Sequence, residues 1–88
     1  MKTTFPLTGY GLMAERHWRE FRPRMVRELE AEGRLQEALY EAQERTLDEL
    51  MNLETKLEAQ GLTVQQAQAQ AWEMVRESYI LLPSETDE

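Results

Sequence analysis

An all-α fold, a small helical bundle of three main helices, is what this sequence predicts, and three observations carry that expectation. Apolar residues recur every three or four positions through three long stretches. Proline and glycine fall between those stretches or near their ends, at Pro6, Pro23, Gly33, Gly61 and Pro83. No stretch shows the strict alternation of apolar and polar residues that a half-buried strand needs.

The elements follow in chain order. Residues 1–9 hold Pro6 and Gly9 without helical period and read as an extended arm, with Phe5 and Leu7 laid on the helices. From Tyr10 the stripe Tyr10, Ala14, His17, Phe21, Met25 and Leu29 has helical spacing. Pro23 interrupts it, because proline lacks an N–H and its ring crowds the carbonyl four residues back. The first helix is therefore kinked or broken near Pro23, and a break with Pro23 in the first turn of a second segment misplaces no donor. Gly33 suits a left-handed helix terminus and a hairpin; one long helix running through it is the other reading.

Residues 34–60 contain no glycine or proline and give the strongest helical pattern. Leu39, Gln43, Thr46, Leu50, Leu53 and Leu57 form a seam with a polar centre, widened by Leu35, Ala42 and Leu47. Gly61 closes this helix. Thr63 and Gln66 then stand three apart, the spacing of a capping box. A last helix from Val64 to about Leu81 follows, with Val64, Ala67, Ala71, Val75 and Leu82 inward, and Pro83 stops it. Residues 10–83 thus form a single helical domain and residues 84–88 an acidic disordered tail. The expected core is Trp18, Phe21, Met25, Leu29, Leu39, Leu50, Leu53, Leu57, Ala71, Trp72, Val75 and Tyr79.

The chain has 88 residues, a formal charge of −7, a mean hydropathy of −0.69 and no cysteine. One small domain is the ceiling, and disulfides, thiolate metal sites and a thiol nucleophile are excluded. Neither a membrane span nor a signal peptide is expected. His17 is the only histidine, and the position three before it is Ala14 rather than the acid of a helical di-metal motif. Ser78 and Ser84 lie in no nucleophile elbow. No catalytic residue, metal ligand or cofactor is predicted, and the protein is expected not to be an enzyme.

Charge is uneven. Five of the ten basic residues, Arg16, Arg19, Arg22, Arg24 and Arg27, fall within twelve positions and enclose Trp18. Residues 28–58 carry ten acids and three bases. One reading of the arginine cluster is structural, since Glu15–Arg19, Arg16–Glu20, Glu20–Arg24 and Arg24–Glu28 are i,i+4 neighbours. A second is a partner surface of these five arginines with Trp18. A third is nucleic-acid contact, with Trp18 stacked on a base, which the negative net charge disfavours. The acidic residues Glu37, Glu41, Glu44 and Asp48 serve solubility, or occupy the nucleic-acid groove of another protein as an inhibitor would. A homodimer is expected, with Leu39, Leu47, Leu50, Leu53 and Leu57 as its face, because that leucine face is long relative to what two helices can cover.

Several short features occur in one order: Tyr10-Gly11, His17, Phe21-Arg22-Pro23, Leu29, Gly33, Leu35, Gly61-Leu62-Thr63, Ala71-Trp72-Glu73 and Leu81-Leu82-Pro83. In this the chain resembles the small TnpV-like proteins carried by bacterial transposons and conjugative elements. The resemblance spans roughly residues 10–83. It implies a bacterial, cytoplasmic setting and an association with mobile DNA, and it brings no established activity, cofactor or catalytic residue. The function expected is that of a non-catalytic interaction or regulatory accessory working by protein contacts. A DNA-binding accessory using the five arginines is the alternative.

Overall fold

The computed structural model describes residues 5–85. Residues 1–4 of the expected arm and 86–88 of the expected tail lie outside them. The described chain is helical, with no strand among these residues: α1 (Gly9–Phe21), α2 (Pro23–Ala31), α3 (Leu35–Ala59) and α4 (Val64–Tyr79). The expected first helix is thus two helices. Pro23 occupies the first helical position of α2, where its missing N–H costs nothing.

Gly33 makes a turn rather than lying within a helix. Its φ of +69° is open to glycine at little cost, and Arg34 N–H donates to the carbonyl of Leu29 at 2.8 Å, closing the helix end. The turn at Gly61 is built alike, with Leu62 N–H on the carbonyl of Leu57. The capping box is present in full: Gln66 N–H donates to Thr63 Oγ1 at 3.1 Å, and Thr63 N–H donates to Gln66 Oε1 at 3.0 Å.

The core has two parts strung along α3. Around its first half, Ala14, Trp18, Val26, Leu39, Ala42 and Ile80 are buried together. Along its second half, Leu50 and Leu57 pack on Ala67, Ala71 and Val75 of α4. The small side chains of Ala67 and Ala71, both fully buried, let the two helices approach closely. Tyr10, Trp72 and Tyr79 touch both clusters, and the rings of Tyr10 and Trp72 stack at 5.3 Å.

Several expected core positions shift. Phe21 is 37% exposed, because α1 ends there and nothing packs over it. Val26, not Met25, faces inward: the break at Arg22 resets the helical phase, and Met25 and Leu29 are left half-buried. Val64, at the start of α4, is exposed, whereas Ile80 is fully buried because the chain bends inward after Tyr79. The bend is fixed by Leu81 N–H on the carbonyl of Arg76 at 2.7 Å.

The body is flat, 47 × 42 × 14 Å, with a radius of gyration of 14.9 Å. A compact domain of this length has a radius of about 12 Å. The spread follows from the two-part core, in which α1 and α2 cover one half of α3 and α4 lies against the other.

Candidate functional site

The first and second helices are pegged to distant residues by polar side chains. Gln43, buried in the centre of α3, accepts from the N–H groups of Thr8 and Gly11 through Oε1 and donates from Nε2 to the carbonyl of Pro6 at 3.2 Å. It therefore caps α1 from across the molecule, satisfying an amide that the helix itself cannot. Gly11 is required at this contact, since a Cβ there would stand 2.5 Å from Gln43 Oε1 and 2.8 Å from Leu7 Cδ2.

Trp18 is buried, and its indole Nε1–H reaches the carbonyls of Tyr79 at 3.3 Å and Ile80 at 3.1 Å. It is a core residue and cannot stack on a base or a partner, which corrects its place in the expected surface. His17 Nε2 lies 2.7 Å from the carbonyl of Leu82, and Arg22 Nη1 donates to the carbonyl of Pro83 at 3.1 Å. Glu85, expected in the disordered tail, instead accepts from Arg24 N–H at 3.0 Å and Met25 N–H at 2.9 Å, while its own N–H meets the carbonyl of Phe21. Partial burial works against ionisation of this carboxyl. The amides of Met25 and Arg24 and the charges of Arg22 and Arg24 outweigh it and hold Glu85 below the usual carboxylate range.

The arginines divide accordingly. Arg19 bridges Glu15 at 3.0 Å and Glu30 at 3.2 Å, joining α1 to α2, and these two hydrogen-bonded carboxylates raise its pKa further. Arg22 is half-buried against residue 83, and Arg24 is exposed. Arg16 and Arg27 are exposed with no ion pair among the described residues. Of the four expected i,i+4 pairs only Glu15–Arg19 forms; Glu20–Arg24 is separated by the break at Arg22. Beside Arg16, on the outward side of α1, Leu12 is 56% and Met13 41% exposed.

The expected dimer face is occupied within the chain. Leu39, Leu50 and Leu57 are buried, Leu39 against the first cluster and the other two against α4, while Leu47 and Leu53 are half-buried. The acidic residues Glu37, Glu41, Glu44 and Asp48 are all exposed, with Glu37 near Arg34 and Glu41 paired to Arg45 at 3.4 Å.

A different side of α3 carries a groove of about 480 Å³. Trp18, Met25 and Leu29 form one wall, Tyr79 and Leu82 the other, and Ala38 and Ala42 the floor. Glu41, Arg45 and Ser78 complete the lining. Tyr79 donates its hydroxyl to the Glu49 carboxylate, and that bond is the main reason its pKa is raised, with burial adding to it and Arg45 opposing. Sequence spacing missed this groove because it is assembled from the off-seam positions of α3 and from the bend after Tyr79.

Among the described residues no three His, Asp or Glu side chains converge as metal ligands would, and no helix is long and apolar enough to cross a membrane. No family model matches the chain, and comparison with curated proteins and with solved structures gives no match.

Proposed function

We propose that this chain is a non-catalytic interaction or regulatory accessory of a bacterial mobile element, acting in the cytoplasm by docking on another protein through the outward side of α1. The observation that carries the reading is the exposed pair Leu12 and Met13 beside Arg16, an arginine with no ion pair among the described residues. Large apolar side chains next to arginine are the composition of interface hot spots, and an unpaired guanidinium is available to a partner carboxylate. The mobile-element setting rests on the resemblance to the TnpV-like proteins.

Affinity capture from a bacterial host, comparing wild type with Leu12→Asp and Arg16→Glu, tests the reading. Both substitutions are on exposed positions, so helical content stays unchanged by circular dichroism. Loss of one specific protein from both variants supports docking through α1. Equal capture by all three proteins removes it.

Direct DNA binding is the second reading, favoured by the exposure of Arg16, Arg24 and Arg27. It predicts duplex affinity that falls steeply between 50 and 200 mM salt, and a shallower slope once Arg16 and Arg27 are both replaced by alanine. Trp18 has no part in it.

A further inference from the structure

The groove on α3 is independent of the α1 surface, and we propose that it is where a second copy of this chain docks. The arrangement is two-fold, the α3 helices crossing antiparallel so that Glu41 of each copy faces Arg45 of the other.

Two observations choose this occupant. The first is area. A compact monomer of 10.4 kDa exposes about 5,400 Å², whereas this chain exposes 6312 Å². The excess, roughly 900 Å², matches what each partner contributes to a standard interface, about 800 Å². The flat, 14 Å thick body presents that excess as broad faces, and the groove opens on one of them.

The second is charge complementarity. A two-fold contact brings identical patches together, so a patch of one sign repels itself and only one carrying both signs fits. Glu41 and Arg45 stand one helical turn apart at the groove, and both are more than half exposed. In an antiparallel contact centred at the level of residue 43, position 41 of one helix lies opposite position 45 of the other. Each i,i+4 pair within a copy is then exchanged for, or shared with, two pairs between copies. Ala38 and Ala42 in the floor leave room for the helices to approach, and the apolar walls of Trp18, Met25 and Leu29 are covered.

Sedimentation equilibrium of the full chain from about 5 to 500 μM, a span bracketing typical weak association, reads the result directly. Wild type is expected to dimerise. Glu41→Arg and Arg45→Glu each place like charges across the two-fold and raise the dissociation constant at least about tenfold. An equimolar mixture of the two variants restores dimers as heterodimers, because arginines of one then meet glutamates of the other. A merely structural role for the Glu41–Arg45 pair cannot produce that rescue. Ala38→Glu, in the floor, gives a folded monomer. Wild type that stays monomeric, single variants that dimerise like wild type, or a mixture without rescue each overturn the proposal. All three leave the α1 docking reading standing, because its variants lie on another helix.

Discussion

The α3–α4 hairpin and the α1–α2 pair are built on opposite principles. In the hairpin, almost every determinant is close in sequence to what it determines. Gly61 makes the turn, Thr63 and Gln66 cap α4 three residues apart, and Leu50, Leu57, Ala67, Ala71 and Val75 meet through periodic spacing. In the α1–α2 pair the stops at Pro23 and Gly33 are local, but the starts are not. The first turn of α1 is completed by Gln43, 32 residues from Gly11, and that of α2 by Glu85, 61 residues from Arg24. A helix that carries its own cap forms wherever its apolar face is covered. A helix capped from afar is stable only when the remote residue is in place.

The largest expected effect separates the two halves. Trp18→Ala removes a buried ring and both indole hydrogen bonds to residues 79 and 80, for a loss of about 3–5 kcal/mol in urea unfolding. Amide exchange should accelerate most across α1 and α2, with Leu50–Leu57 and Ala71–Val75 the slowest to follow. Equal acceleration everywhere breaks the comparison and makes the chain one cooperative unit.

Gln43→Leu keeps the volume and removes the polar functions, leaving the amides of Thr8 and Gly11 and the carbonyl of Pro6 without their partner. The expected cost is about 1–3 kcal/mol, read by chemical denaturation, and the loss of protection should concentrate in the first turn of α1. A change confined to α3 would mean that α1 does not depend on its remote cap.

Thr63→Ala tests the local counterpart. About 1 kcal/mol is the typical cost of losing such a cap, and exchange should speed up only at the start of α4. If α1 loosens as well, the hairpin is not the self-contained half.

The smallest effect belongs to Glu85→Gln, and its signature is pH dependence. The folded carboxyl titrates below its ordinary value of 4.5, so ionised Glu85 stabilises the fold above that value and the contribution disappears as pH falls through the folded value. Thermal unfolding should therefore show wild type above Glu85→Gln at neutral pH, the gap closing on acidification. The other acids are common to both proteins and cancel in the difference. A gap that is constant or grows in acid would assign the α2 cap to something other than the charge.

What was legible in the sequence divides along the same line. The break at Pro23, the turns at Gly33 and Gly61, the Thr63–Gln66 cap and the α3–α4 seam are all local signals, and each could be read directly. Phase was the first thing lost. A stripe counted straight through Pro23 puts Met25 inward, whereas the restarted helix buries Val26. Chain reversals were the second: Ile80 lies off the α4 seam and is buried only because the backbone turns after Tyr79. Long-range polar contacts were the third. Nothing near Trp18 indicates that its N–H meets carbonyls 61 and 62 residues away. A tryptophan among arginines therefore reads as a surface feature until the tertiary contact is known. The same holds for the leucine face of α3, whose coverage by α4 depends on how far α4 reaches along it.

The grip of Trp18, His17, Arg22 and the α2 amides on residues 79–85 also bears on how the polypeptide is born. Synthesis proceeds from the N-terminus, and many domains begin to fold while it continues. Here the earliest helices must wait until some sixty further residues have been made before the segment that anchors them exists. A ribosome stalled anywhere before residue 79 holds α1 and α2 unanchored, their apolar and arginine side chains open to chaperones. Docking of the front of this protein is thus one of the last events of its assembly.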